Sequence, residues 1–295
     1  MNIGIIGAGA IGLLIAAHLG RNNSVHLYVR RKEQRDILNT HGVACDRAET
    51  VEVQAHLLSD GFLRHDVILV TVKQQQVDEI LSSIKQLPAH VPVIFLQNGM
   101  GHLDKLSFLV NPVLVGTVEH GALKLSDRAV KHTGLGTITI AAYSDVEAAH
   151  LERLASWLSE PDFKVSSYQD YYELLVKKLM VNTVINPLTA LFRVRNHALT
   201  SNPSIRTLGY ELCKEAASVL DRSPETEWEE ILRIAENTGG NYSSMVKDLM
   251  EKRTTEIDAI NGYVAKKSQH KLPYHHFVIE AIHALEFANE REGKV

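Results

Sequence analysis

Lys178, Asn182 and Asn186 recur at intervals of four in the apolar stretch LLVKKLMVNTVINPLTAL, residues 174–191, and Thr189 falls in the same arc. At 3.6 residues per turn, this spacing lines an ammonium, two carboxamides and a hydroxyl along one face of a buried helix. Burying such groups costs free energy unless partners meet them. A bound polar substrate is one such partner; a hydrogen-bond network between helices is the other. For Asn186 the second reading has its own argument, because Pro187 removes a backbone donor and a carboxamide could cap the kink. A cationic lysine in a partly buried cleft can stabilise a developing alkoxide and deliver a proton to it.

A second polar group stands on an apolar face further on. Met245, Leu249, Ile260 and Tyr263 trace one side of a helix expected over residues 243–267, with Glu256 in its middle. A carboxylate there must be paired, protonated or in contact with a ligand. Arg253, three residues earlier, is the structural partner to weigh against a ligand. Ser243 and Ser244 stand at the start of this helix, where a hydroxyl is also the ordinary N-cap. For Ser244, capping and substrate binding both stand.

The N-terminal end carries phosphate chemistry. Gly7, Ala8, Gly9, Ala10, Ile11 and Gly12 form a GxGxxG run that follows an apolar strand and opens a helix. In that context the first glycine permits a tight turn, the second a close approach of backbone to a pyrophosphate, and the third close packing of helix on strand. The helix N-terminus adds N–H donors and a positive dipole end. An NAD site would carry Asp or Glu at the end of the second strand; the segment there reads VHLYVRRK, with Arg30, Arg31 and Lys32 and no acid. Cations there attract a 2′-phosphate, so NADP(H) is expected over NAD(H), with Arg30 the main contact. A solvated basic turn is the bland alternative. Lys73, Gln74, Gln75 and Gln76 follow a third strand, and Gln97, Asn98, Gly99, Met100 and Gly101 a fourth. Ligands of open parallel sheets lie outside these carboxyl ends, so Lys73 and Asn98 are suited to touch cofactor and substrate.

The elements that must position these groups follow from patterning. Residues 2–6, 25–29, 67–72, 93–96 and 113–117 are short β-branched runs, mostly apolar on both faces, and helical segments alternate with them. That is the signature of a parallel sheet covered on both sides. The Gly-punctuated alternation of residues 129–142 suggests a hairpin edge on that sheet. A helix over residues 145–159 ends at Pro161, and Asp170 with Glu173 makes a capping-box start for a helical remainder. The expected architecture is α/β: a Rossmann-type doubly wound parallel sheet over residues 1–167, then an all-α domain over 168–295.

Composition bounds the rest. Of 295 residues, 31 are Lys or Arg and 35 Asp or Glu, a net charge of −4 without long like-charge blocks. That gives no electrostatic reason to expect a nucleic acid or an anionic membrane as partner. Cys45 and Cys213 build no disulfide framework, no secretory leader is visible, and no uninterrupted apolar run reaches a membrane span. A cytoplasmic protein, monomer or homodimer, is expected. The 15 histidines form no HExxH pair or Cys/His ladder, so no metal site is expected.

Taken together, these segments resemble the ketopantoate reductase (2-dehydropantoate 2-reductase) family over nearly the whole chain. The resemblance is carried by GAGAIG at 7–12, TVKQQQ at 71–76, QNGMG at 97–101, HTGLGTITI at 132–140, KLMVNTVINPLTAL at 178–191, SSM at 243–245 and RTTEIDAINGY at 253–263. It implies NADPH-dependent reduction of 2-dehydropantoate to (R)-pantoate, a step toward pantothenate and coenzyme A. By that resemblance Lys178 matches the general acid and Asn98 a residue bridging cofactor and substrate. Asn182, Asn186 and Ser244 match substrate-binding positions, and Glu256 a cofactor-side carboxylate. Lys73, Gln76 and Ala122 match cofactor contacts, and Arg30 the reader of the 2′-phosphate. Glu119 departs from the family pattern, which has a smaller residue there. The rival readings are an NADPH-dependent reductase of another 2-oxo acid and a non-catalytic NADPH sensor.

Overall fold

The computed structural model describes residues 1–292, and the chain divides into two compact units. The first holds Met1–Gln97 and His102–Leu174; the second holds Asn98–Gly101 and the residues from Leu175 onward.

In the first unit, strands β1 (Asn2–Ile6), β2 (Ser24–Val29), β3 (Val43–Cys45), β4 (Ala48–Val51), β5 (Gln54–Leu57), β6 (Val67–Val70), β7 (Val93–Phe95), β8 (Val113–Val118), β9 (Gly121–Lys124), β10 (Ala129–Gly134), β11 (Thr137–Ala142) and β12 (Lys164–Tyr168) are interleaved with helices α1 (Ala10–Leu19), α2 (Lys32–His41), α3 (Val77–Ile84), α4 (Leu103–Leu106) and α5 (Ala148–Leu158). Eight strands form one sheet in the order β12-β11-β8-β7-β6-β1-β2-β5. All its pairs are parallel except β8 with β11. β1, β6, β7 and β8 are almost wholly buried, which is why they read as unbroken apolar runs. The strand order reverses between β1 and β6, the switch point beside which such sheets bind ligands.

The expected hairpin at residues 129–142 is not one. β11 joins the main sheet against β8, whereas β10 belongs to a separate four-stranded sheet of order β4-β3-β10-β9. Gly134 and Gly136 leave only two residues between the strands, but β10 pairs backward with β9 and the chain crosses from one sheet to the other. The small sheet packs on α1 and is fastened by a chain of buried histidines. Gly136 N–H donates to His120 Nδ1 (3.2 Å), which makes that nitrogen an acceptor. His132 Nε2 then donates to His120 Nδ1 (3.0 Å), His18 Nε2 to His132 Nδ1 (3.3 Å) and Arg21 Nη2 to His18 Nδ1 (3.3 Å). The Phe163 ring stacks between His18 and His120, with centroids 4.5 and 4.4 Å away.

The second unit is helical: α6 (Tyr171–Phe192), which begins just before the unit does, then α7 (Ala198–Ser201), α8 (Pro203–Leu220), α9 (Pro224–Asn237), α10 (Ser244–Met250), a π-turn (Asp258–Gly262), α11 (Tyr263–Lys267) and α12 (Pro273–Glu292). Asp170 Oδ1 accepts the N–H groups of Tyr172 and Glu173 and so starts α6. By length and composition α6 would pass for a membrane span, but 67% of its apolar window is buried within the protein, as in a core helix. The long helix expected over residues 243–267 is broken. Lys252 takes a left-handed φ of 52°, and Arg253 folds back, its N–H to Asp248 O and its Nε to Asp248 Oδ1, both 2.8 Å. Glu256 therefore lies on the linker before the π-turn rather than mid-helix.

Candidate active site

In the first unit the glycine run forms a cradle at the switch point. Gly7 has φ 104°, a conformation that L side chains rarely adopt. A Cβ on Gly12 would collide with the Gly7 carbonyl oxygen, whereas a Cβ on Gly9 would meet nothing within 4 Å. The α1 ladder begins with Leu13 N–H on Gly9 O, and the N-cap Gly9 offers no side chain to the N–H groups ahead of it. Open space over Gly9, unsatisfied N–H donors and the helix dipole fit the pyrophosphate of a dinucleotide. The loop is pinned from two sides. Thr71 Oγ1 donates to Gly7 O (2.8 Å), and buried Gln34 Nε2 donates to Ala8 O (3.0 Å). Neither residue was singled out by the sequence; Gln34 sits on a mostly polar helix with nothing to mark it.

At the end of β2 the two arginines differ. Arg30 makes one exposed ion pair with Glu79 at 3.2 Å, while Arg31 is paired with Asp127, which also holds Lys124 at 3.2 Å. A lone exposed pair is weak and readily exchanged for a phosphate, so Arg30 is the more available cation. Lys73 stands at the N-cap position of a short 3₁₀ turn (Gln74–Gln76) shortly after β6, and Ala122 lies on β9 of the small sheet. Gln97 is committed to structure: its Nε2 donates to Val70 O (2.9 Å) and Val72 O (3.0 Å). Glu119 is exposed at the bend between β8 and β9. His120 and His275 are buried, while His276 is exposed.

In the second unit Lys178, Asn182 and Asn186 lie along α6, the first two half-buried and Asn186 buried. The N-cap of α10 is Ser243, whose Oγ accepts Val246 N–H (3.3 Å) and the Thr189 hydroxyl (2.8 Å). Ser244 is thereby relieved of capping and stands exposed in the first turn. The same bond fastens the start of α10 to the polar arc of α6. Asn98 belongs to this unit, and its Nδ2 donates to Glu256 Oε2 at 2.8 Å. Arg253 does not take Glu256; its partners are Asp248 and Glu251. Gly99, at φ 77°, abuts the Ala259 carbonyl so closely that no side chain fits. One ammonium, one carboxylate, three carboxamides and a hydroxyl thus belong to a single unit. Such a set can hold a polar oxo acid and protonate its carbonyl oxygen.

Residues 3–145 match the family described as Ketopantoate reductase PanE/ApbA, and residues 170–286 its C-terminal domain. The chain belongs to the ketopantoate reductase family. It is 38% identical over 273 residues to the 2-dehydropantoate 2-reductase of Bacillus subtilis (strain 168), covering 91% of each chain. With that of Listeria monocytogenes it shares 36% over 294 residues, 97% of each. Among solved structures, a probable 2-dehydropantoate 2-reductase from Bacillus subtilis superposes with TM-score 0.88 at 35% identity, over 97% of this chain and 100% of that one. A D-mandelate dehydrogenase in complex with NADH and anilino(oxo)acetate superposes with TM-score 0.91 at 25% identity, over 98% and 100%.

Within this ketopantoate reductase fold, one further residue of the second unit meets α6. Asn261, fully buried in the π-turn, donates its Nδ2 to Thr183 O on α6 at 2.9 Å. That carbonyl is the one the missing N–H of Pro187 would have met. The job of mending the proline break, which the sequence left open for Asn186, is therefore taken by another carboxamide. The signal was legible only as an Asn in an apolar stretch, with nothing to say which backbone group it would reach.

Proposed function

We propose that this chain reduces 2-dehydropantoate to (R)-pantoate with NADPH, supplying pantothenate and coenzyme A synthesis. The observation that carries this reading is the α6 stripe of Lys178, Asn182 and Asn186, in which Asn186 is spared the structural task at Pro187. Bound over the Gly7–Gly12 cradle, the cofactor supplies the hydride for the carbonyl carbon. Lys178 Nζ gives its proton to the oxygen that becomes the alkoxide and stabilises charge there as it develops. Asn98 bridges nicotinamide and carbonyl, in the orientation fixed by its bond to Glu256. Asn182, Asn186 and Ser244 hold the substrate's carboxylate and hydroxyl, and Lys73, Gln76 and Ala122 contact the cofactor. Arg30 reads the 2′-phosphate. Residues 1–167 serve the cofactor and 168–295 the substrate, Asn98 being the exception. The enzyme works in the cytoplasm as a monomer or homodimer.

A second reading has one observation in its favour: the likeness to a D-mandelate dehydrogenase solved with NADH. It would make this chain a reductase of a different 2-oxo acid. Rates of NADPH and NADH consumption with 2-dehydropantoate, phenylglyoxylate and other 2-oxo acids separate the two. Turnover confined to 2-dehydropantoate and NADPH is expected. Preferred turnover of an aryl oxo acid with NADH would overturn the reading.

A further inference from the structure

We infer that Asn261 is a positioning residue for the substrate-holding face of α6, standing in for the backbone donor that Pro187 lacks; this rests on the reductase reading above. In an α-helix the N–H of residue 187 would donate to the carbonyl of residue 183. Proline has no N–H, and Thr183 is fully buried, so without help its carbonyl would be an acceptor stranded away from water. Asn261 Nδ2 fills that place at 2.9 Å from an element 78 residues further along the chain. Its own Oδ1 is buried without a partner among the described residues. The carboxamide is thus retained for one end only, the donor, and flipping it would set oxygen against oxygen.

Two features connect this bond to the chemistry rather than to packing alone. The missing hydrogen bond it replaces would run from residue 187 to residue 183, so it closes the turn of α6 that follows Asn182 and contains Asn186, and it bears on where Asn186 falls relative to Lys178. The turn that carries Asn261 is also the turn whose Ala259 carbonyl meets Gly99, next to the Asn98 that bonds Glu256. A π-turn, with its ladder widened by one residue, recurs at functional sites for this kind of re-aiming. One short segment therefore sets the register of both groups of substrate-side residues.

The test is a double-mutant cycle in the full chain: wild type, Asn261→Leu, Pro187→Ala and the double variant. Pro187→Ala returns a backbone N–H to Thr183 O. Asn261→Leu alone should raise the KM for 2-dehydropantoate about tenfold, with a smaller fall in kcat and an unchanged KM for NADPH. In the Pro187→Ala background the same change should cost less than about twofold. Asn261→Asp, which keeps the volume but loses the donor, should behave as Asn261→Leu does and replaces it should the leucine variant fail to fold. An equal KM cost in both backgrounds, a normal Asn261→Asp enzyme, or a joint loss in kcat and both KM values would overturn the role. Melting temperatures of the four proteins run the same cycle without substrate. Coupling in melting temperature without coupling in KM would reduce Asn261 to a structural residue and overturn its positioning role. Should the wild type fail to turn over 2-dehydropantoate, the reductase reading fails, and the melting cycle alone decides whether Asn261 replaces the missing donor.

Discussion

Asn98 donates its side-chain amide to the carboxylate of Glu256 across 2.8 Å, joining residues 158 apart in sequence. A hydrogen bond to a carboxylate is stronger than one between neutral groups, and here it orients the carboxamide proposed above to meet both cofactor and substrate. Glu256→Ala removes the acceptor and should raise the KM for 2-dehydropantoate by about tenfold or more. Glu256→Gln keeps an acceptor for Asn98 and should cost clearly less. Steady-state kinetics of both variants decide the matter, and equal losses would argue that the charge, not the orientation of Asn98, is what counts.

Lys178→Ala should lower turnover by about two or more orders of magnitude, the scale of a lost general acid. Lys178→Arg keeps the charge, but a guanidinium does not give up its proton at working pH, so this variant should be slow as well. NADPH affinity, read by fluorescence titration, should barely change in either. Near-normal turnover in a folded Lys178→Ala protein would remove the lysine from the mechanism.

Gly9 and Gly12 of the cradle should part company under substitution. A methyl on Gly12 meets the Gly7 carbonyl, while a methyl on Gly9 enters open space. Gly12→Ala should therefore lower the melting temperature, at a cost of about 1–3 kcal/mol for overpacking. Gly9→Ala should melt like the wild type yet bind NADPH poorly, because its methyl occupies the pyrophosphate's position. Normal NADPH binding by a stable Gly9→Ala protein would take the cofactor away from this loop.

Cofactor choice should rest on Arg30 more than on Arg31. Arg30→Ala is expected to weaken NADPH binding about tenfold while leaving NADH binding unchanged, since only the 2′-phosphate is lost as a partner. Arg31, held by Asp127, should contribute less. Binding isotherms for both cofactors on both variants check this, and parallel losses for NADPH and NADH would refute it.

Acid should loosen the first unit before it touches most carboxylates. Burial pulls His18, His65, His102 and His120 from the ordinary 6.5 down to about 4. Between those values the unfolded chain takes up protons that the folded chain refuses, so stability is complete above about pH 6.5 and falls as pH drops toward 4. Melting temperatures measured across that range should decline steadily. His102, whose two ring nitrogens have no partner among the described residues, should lose part of this slope in His102→Leu. A flat melting temperature from neutral pH to about 5 would contradict the account.

The legible parts of this molecule are those in which residue type is dictated by backbone geometry or by burial. The GxGxxG run could be read because Gly7 needs its positive φ and Gly12 its missing Cβ, and few other positions demand either. The strands near the centre of the main sheet were readable because both their faces are covered. The stripe on α6 was readable because polar side chains interrupt an apolar helix at a fixed period. What escaped was set by partners distant in sequence. β3 and β4 have three and four residues each, too few for a period to show. β10 and β11 have the alternation of a hairpin, and nothing local tells that they enter different sheets. The break after Met250 goes with Asp248 catching Arg253, a residue for which the sequence offered Glu256 as the alternative partner. Asn261 could be seen as a buried amide, but its service to Pro187 depends on a tertiary contact.

The four residues Asn98–Gly101 belong with a body of chain that does not resume until Leu175. The polypeptide thus passes from one unit to the other three times, and the two units are not modules in the sense of beads on a string. A fragment ending at Leu174 would keep the whole cofactor cradle yet carry Asn98 without Glu256, and the complementary fragment would carry Glu256 without Asn98. A swap of C-terminal halves alone between two relatives would therefore part Asn98 from the Glu256 it bonds in this chain. A graft that keeps the pair together must include a tetrapeptide from the middle of the other half.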